Sequence, residues 1–183
     1  RAFFAHTRVV IISARLAEEG VAPVMDVLQR GYEIRRLGWL VVAKDNDLEK
    51  ILSIVPGIEK INGVYLEDVI RNSSSHSQAT NIQLIDFFKS MIGAGMNPLT
   101  GIMEIAQNNM EGNEGGKENP QEMVMNFGGA AFKKDKLVGF LDRSEARGAN
   151  WVRGEVKSGV IIVPAIIDKN RRISVEIIKT WAN

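Results

Sequence analysis

Two short runs of β-branched residues near the start of the chain constrain its fold more than any other feature. They are RVVIIS at residues 8–13 and GWLVVAK at residues 38–44, and runs of this kind are typical of buried strands. Between them, apolar residues lie on one stripe, which predicts two helices with a buried face. That stripe consists of Ala17, Val21, Val24, Met25 and Leu28. The order strand, helices, strand predicts a βαβ-like unit, and it leaves the relative direction of the two strands open.

The middle of the chain has helical periodicity. Apolar residues three and four apart predict one helix that reaches about Asn72 and a second that ends at Gly93. Residues 72–80, NSSSHSQAT, form a polar loop between these helices in this prediction. Two residue pairs have the spacing of a capping box at a helix start, namely Asn46 with Glu49 and Thr80 with Gln83.

From Pro98 onward the sequence favours strands. They are predicted at residues 98–107, 123–127, 137–141, 158–164 and 173–178, and residues 108–122 are predicted to be a mobile loop. The fold class is therefore α+β, with helices packed on a mixed or antiparallel sheet, a βαβ-like N-terminal part, a helical middle and a β-rich C-terminal part. We expect residues 1–183 to form a single α+β region. Within it, residues 1–56 with 98–178 could form one sub-lobe and the helical residues 57–97 another.

The stretch GGAAFKKDKLVGFLDRSEARGANWVRG at residues 128–154 combines glycines with cations, so it could be an anion site or a purely structural segment. We favour the structural interpretation. The three lysines at 133, 134 and 136 lie between two apolar runs, which indicates a hairpin tip with a longer or bulged turn. Asp142 and Glu145 have capping-box spacing, which predicts a short helix that Gly148 weakens or ends. Trp151 then lies in a turn before the next strand.

Composition excludes several classes of site. The chain has a net charge of +1 and no cysteine, so we expect no nucleic-acid partner, no disulfide and no thiolate metal site. The two histidines, His6 and His76, lie far apart in the sequence. An enzyme would need a pocket that joins one of them to a carboxylate. No motif predicts a catalytic residue, a cofactor or a metal.

Several segments together, in order along the chain, resemble one protein family. They include FFAHTRVVIISARLAEEGVAPVMDVLQRGYEIRR at the start, LEKILSIVPGIEKINGVYLEDVI in the middle, and FKKDKLVGFLD followed by Trp151 and KSGVIIVP. The series is similar to the C subunits of bacterial spore nutrient-germinant receptors, the GerAC-type lipoproteins. The similarity extends from about Phe3 to Glu176.

The resemblance implies a function that the residues alone do not indicate. It implies a non-enzymatic subunit of a germinant receptor that acts in receptor assembly or signal relay. The implied partners are the membrane-embedded A and B subunits, with other germination proteins as further candidates. The implied location is the outer face of the inner spore membrane, through a lipid on an N-terminal cysteine outside this chain. The family's C-terminal domain is expected to follow about Lys179.

Partner contacts in such a module are expected at exposed aromatic and arginine side chains. The candidates are Trp151, Arg153, Trp39 and Tyr65. A core position is the favoured interpretation for Trp39. The alternative function is a small-molecule domain that binds a nutrient or an anion, in a cleft framed by the βαβ-like start and the acidic loop.

Overall fold

A computed structural model describes residues 6–31, 37–45, 47–54, 61–108, 121–156, 158–164 and 171–177. The helices in this part of the chain are α1 (Ala14–Glu19), α2 (Ala22–Arg30), α3 (Leu48–Ser53), α4 (Asn62–Ser75), α5 (Leu84–Ile92) and α6 (Arg143–Arg153). The strands are β1 (Val9–Ser13), β2 (Trp39–Ala43), β3 (Ile82–Gln83), β4 (Leu99–Asn108), β5 (Gln121–Asn126), β6 (Gly129–Lys133), β7 (Lys136–Leu141), β8 (Gly159–Pro164) and β9 (Arg172–Ile177).

Seven of these strands form one mixed sheet, in which β1, β2, β4, β6 and β7 follow one another. β1 and β2 are parallel, and so are β2 and β4, whereas β4, β6 and β7 pair in antiparallel fashion. β5 pairs with the second half of β4, and the short β3 pairs with the start of β2. The predicted α+β class with a mixed sheet is confirmed.

The sheet is covered on both faces, and alternate residues of β2 show this directly. Leu40 and Val42 belong to one buried cluster, with residues of α1, α2 and α5. Val41 and Ala43 belong to a second cluster, with residues of α3 and α4. Successive side chains of a strand point to opposite faces. A strand buried on both faces therefore needs the continuous apolar run seen at the start of the chain.

β8 and β9 form a separate antiparallel hairpin. Ile161 pairs with Val175 and Val163 with Ile173, so these four apolar side chains share one face. The hairpin is tied to the rest of the protein by hydrogen bonds from Arg147 Nη2 to Val160 O (2.7 Å) and from Ser77 Oγ to Ser158 O (2.8 Å). Residues 165–170, between the two strands, lie outside the described residues.

Two helix starts differ from the predicted capping boxes. The N-cap of α3 is Asp47, whose side chain accepts a hydrogen bond from Lys50 N, and Asn46 lies outside the described residues. At the start of α5, Gln83 occupies the N-cap position without a side-chain hydrogen bond. The Thr80 hydroxyl instead donates to Thr100 O at 3.0 Å. Thr80 is buried, and bonding a carbonyl of β4 satisfies its hydroxyl there.

The predicted loop at residues 72–80 begins later than expected, because α4 continues to Ser75. The hydroxyls of Ser73 and Ser74 donate to Ile70 O within the helix. Of the segment predicted as a mobile loop, residues 109–120 lie outside the described residues, while Asn108 ends β4 and Gln121 begins β5.

The capping box of Asp142 and Glu145 at the start of α6 is confirmed. Gly148, however, does not end this helix. α6 continues to Arg153 and ends at Gly154, which has a left-handed backbone with φ of 70°. Trp151 is consequently on a helix and not in a turn. The lysine-rich tip is confirmed as a hairpin of β6 and β7. Its turn, however, is only the two residues between the paired Lys133 and Lys136, and the register shift lies within the strands, at Ala131 and Phe132.

Candidate functional site

Trp151 and Arg153 lie in the last turn of α6 and, two positions apart, on opposite flanks of its buried stripe. The buried residues of this helix are Ala146 and Asn150. Trp151 is 44% exposed and the neighbouring Val152 is 91% exposed. Val152 therefore buries almost no apolar surface in the fold and Trp151 leaves much of its ring in water, so the end of α6 is a candidate contact surface.

Asn97 fixes the position of Arg153. Arg153 Nη2 donates to Asn97 O at 2.8 Å, and the Asn97 side chain accepts a hydrogen bond from Lys134 N at 3.1 Å. The end of α6 and the β6–β7 tip therefore meet on the segment before β4. Met96 in that segment is 57% exposed. We call Met96, Trp151, Val152 and Arg153 the α6 patch.

A surface groove joins Arg153 to Trp39. It has a volume of about 750 Å³, and its lining includes Trp39, Gln83, Lys89, Met96 and Arg153. We call it the Trp39 groove. The structure thus brings two of the four predicted contact residues to one groove, although they are far apart in the sequence. The charged residues of the lining are Asp86, Lys89, Arg153 and Glu155, so positive and negative side chains are balanced.

Trp39 is half-buried at the first position of β2, and it packs against the core cluster under α3 and α4. Its backbone N–H donates to Arg8 O at 2.8 Å. Beside it lies a second, smaller groove of about 260 Å³, which Trp39 shares with Arg8, Glu67 and Arg71. Trp39 therefore forms the ridge between two grooves.

Glu67 provides the main electrostatic feature next to Trp39. Its carboxylate accepts hydrogen bonds from Arg8 Nη1 at 2.5 Å and from Arg71 Nη2 at 2.7 Å. The hydrogen bond from Arg8, with the hydrogen bond and charge of Arg71, holds the pKa of Glu67 below its ordinary value. The pKa of Arg8 is raised by the same contact. Glu67 is thus an ionised, structural group.

Tyr65 is half-buried on α4 and packs against the core cluster beneath that helix. Its hydroxyl accepts a hydrogen bond from Val124 N in β5 at 3.2 Å. The aromatic ring thereby links α4 to the sheet. Of the four predicted contact residues, Tyr65 has the clearest structural role.

Both histidines lie in the described part of the chain. No group of three or more His, Asp or Glu residues there could hold a metal ion. The ring of His76 lies 3.1 Å from Asn72 O. Its surroundings form a cleft, and the described residues of the lining include no Asp or Glu. Within the same described ranges, no helix is long and apolar enough to cross a bilayer.

Three residues of this surface escape prediction from the sequence, namely Met96, Asn97 and Val152. A signal exists for Val152, because once α6 is extended through Gly148 this residue falls away from the buried stripe of Ala146 and Asn150. No local signal points to Met96 or Asn97. Their contacts depend on where α6 ends in space.

Two family models match the chain. The one described as spore germination protein N-terminal domain matches residues 1–105. The one described as spore germination B3/GerAC like, C-terminal, matches residues 127–182, so its match begins well before Lys179. The seven-stranded sheet contains strands from both matched ranges.

Curated relatives and one solved structure agree with this assignment. Spore germination protein KC of Bacillus subtilis (strain 168) is 28% identical, over 86% of this chain and 40% of its own length. The spore germination relative YfkR of the same strain is 28% identical, over 73% of this chain and 32% of its own length. The crystal structure of the GerBC protein has the same fold, with a TM-score of 0.52 and 20% identity over 95% of this chain and 45% of that chain. The chain therefore spans less than half the length of each of these proteins.

Proposed function

Because the chain belongs to the GerAC-type family of spore germination proteins, we propose that it is a non-enzymatic part of a nutrient germinant receptor of bacterial endospores. Its role in this proposal is receptor assembly or signal relay. A subunit with this role needs a surface that its partners recognise, and it needs no reactive groups. The similarity to spore germination protein KC supports this assignment.

The proposed partners are the membrane-embedded A and B subunits of the receptor, and other germination proteins are further candidates. The proposed location is the outer face of the inner spore membrane, with a lipid anchor as the attachment. Both proposals derive from the family resemblance. A receptor subunit with these partners needs a surface that binds another protein.

The α6 patch is the observation that carries the proposal. Trp, Arg and Met are enriched at the energetically dominant positions of protein interfaces, and the patch contains all three. Trp151 and Val152 are exposed, so a partner can bury them without unfolding the domain. Arg153 is already held by Asn97, which lowers the entropy lost on binding.

The test is alanine replacement of Trp151 and Arg153 in the full-length protein, in spores of the bacterium that encodes it. We expect slower nutrient-triggered germination, with wild-type amounts of the protein in the spore membrane. Val138 is a matched control, because it is 64% exposed on β7 and apolar. V138A should germinate normally. Normal germination of W151A and R153A spores at wild-type protein levels would remove the α6 patch from the proposal.

A photo-crosslinking residue at position 151 gives a second readout. In intact spore membranes it should capture the A or the B subunit, and the same residue at position 138 should not. Equal capture from both positions would show that proximity to the membrane, and not the α6 patch, produces the crosslink.

A further inference from the structure

A cleft between α4 and β5 shares no lining residue with the Trp39 groove. Its volume is about 410 Å³, within the usual range for small-molecule sites. α4 contributes Val69 and Asn72 to one wall, and His76 follows directly after the helix. Met123, Met125 and Phe127 form the opposite wall, in β5 and just after it. We call this cavity the α4–β5 cleft.

The apolar wall suits a ligand with a hydrocarbon body. Methionine side chains adapt to irregular shapes because they are unbranched and polarisable. Met125 and Phe127 are half-buried, and Met123 is 37% exposed, so part of the wall is open to an entering molecule. A ligand here would remove apolar surface from water without displacing the core.

Arg143 lies at the rim of the cleft and gives it a positive charge. Its guanidinium carbon is 3.7 Å from the centre of the Phe127 ring, a cation–π contact. Among the described residues, Arg143 forms no ion pair with a carboxylate. Its acidic neighbours are used elsewhere, because Asp142 accepts from Ser144 N and Glu145 N, and Glu145 accepts from Asp142 N.

The position of Arg143 in its helix is electrostatically unfavourable. It is the first residue of α6, where the helix dipole disfavours a cation. A residue that opposes a local rule without a compensating ion pair is a candidate functional residue. An anion in the cleft would supply the ion pair that Arg143 does not form with the described residues.

The lining also distinguishes between classes of anion. The described residues of the lining include no Asp or Glu, so a ligand ammonium group would find no carboxylate among them. A zwitterionic amino acid would consequently leave its positive end unpaired. A molecule with one carboxylate and an apolar body matches both the wall and the rim.

We infer that the α4–β5 cleft binds a small apolar monocarboxylate. The hydrocarbon part lies against Met123, Met125 and Phe127, and the carboxylate is bound by the guanidinium of Arg143. This inference is independent of the contact surface on α6. Normal germination of W151A spores would leave this inference untouched. Failure to bind the acid would likewise leave the contact surface on α6 untouched.

The test is titration of the purified protein with sodium hexanoate and sodium phenylacetate, followed by NMR of methionine methyl groups. We expect saturable shifts of Met123 and Met125. Hexanamide has the same chain without the charge, and leucine adds an ammonium group. Each should bind at least about tenfold more weakly than hexanoate, because charge-assisted hydrogen bonds are about twice as strong as neutral ones. The absence of saturable shifts at millimolar acid would overturn the inference.

Variants test the role of Arg143. R143Q should weaken hexanoate binding about tenfold or more, and R143K should retain part of the affinity because it keeps the charge. R30Q is the matched control, since Arg30 is an exposed arginine on α2 that pairs with Asp26. It should bind hexanoate like the wild type. Unchanged affinity in R143Q, or equal affinity for hexanoate and hexanamide, would show that the cleft does not recognise the carboxylate.

Discussion

Arg8, which directly precedes β1, donates a 2.5 Å hydrogen bond to Glu67 in α4, 59 residues later in the chain. The pair holds α4 against the end of the sheet at which strands β1 and β2 start. Arg71 bonds the same carboxylate from the next turn of α4. One carboxylate thereby links a helix to the parallel part of the sheet, beside Trp39.

This arrangement predicts an acid-sensitive contribution to stability. Because the pKa of Glu67 is lower in the folded protein, its contribution is fully present above the ordinary Glu pKa of about 4.3 and is lost as the pH falls through the folded value. E67Q should lower the free energy of unfolding by about 1–2 kcal/mol near neutral pH, since both arginines are partly exposed. The difference from the wild type should disappear in acid.

Urea unfolding at neutral pH and in acid measures this effect. D26N is the control, because Asp26 and Arg30 form an exposed pair on one helix, and it should change stability by less than about 0.5 kcal/mol. A difference between E67Q and wild type that stays constant down to low pH would contradict the proposed ionic origin.

Asn150 forms a buried polar link between α6 and the segment after α4. Its side-chain amide donates to Ser77 O at 3.1 Å and to Ala79 O at 3.0 Å, and the residue is 4% exposed. N150A should destabilise the protein by about 2–3 kcal/mol, because two buried carbonyls lose their donor. N150D has nearly the same shape but offers acceptors to acceptors, so it should be at least as damaging. A well-tolerated N150D in thermal unfolding would show that shape alone matters there.

Two glycines of the same region should respond oppositely to alanine. Gly128 has a φ of 73°, and a Cβ there would clash with the Leu141 carbonyl oxygen, so G128A should cost more than about 1–2 kcal/mol. Gly148 lies inside α6, and a Cβ there meets nothing within 4 Å. G148A should therefore stabilise the protein by up to about 1 kcal/mol. Denaturant unfolding of the two variants tests the pair, and a shared sign would refute this account of the backbone.

The two tryptophans near the groove should also differ. W151A removes a side chain that is 44% exposed and should lower the free energy of unfolding by about 1 kcal/mol. W39A removes a ring packed against the core and should cost about 3 kcal/mol. Unfolding curves of both variants decide this, and substantial destabilisation by W151A would mean that its germination phenotype cannot be assigned to a partner contact.

Much of the secondary structure could be predicted because its signals are local. The strands at residues 9–13 and 39–43 follow from continuous β-branched runs, and α5 follows from the spacing of its apolar residues. The capping box of α6 also needs only neighbouring residues. Thr80 and Gln83 have the same spacing, yet they do not cap α5, because the buried Thr80 hydroxyl bonds β4 instead. A tertiary contact there overrides a local preference.

The candidate sites were only partly predictable, since they join distant segments. Trp151 and Arg153 were identified by residue type, but their exposure depends on α6 passing through Gly148. The Trp39 groove requires β2, the end of α6 and the segment before β4 to meet. Likewise, Arg143 meets Phe127 at the rim of the α4–β5 cleft only when β5 and α6 are placed together.

The sequence by itself determined the family, the α+β class and most helices and strands, because hydrophobic periodicity and residue order act along the chain. The tertiary structure alone decided that β1, β2 and β4 are parallel, which side of α6 faces solvent, and which polar groups face the two grooves and the cleft. These features arise from contacts between residues that are close in space and far apart in sequence. The free energy of these contacts depends on how the whole chain packs, so a local sequence pattern does not predict it.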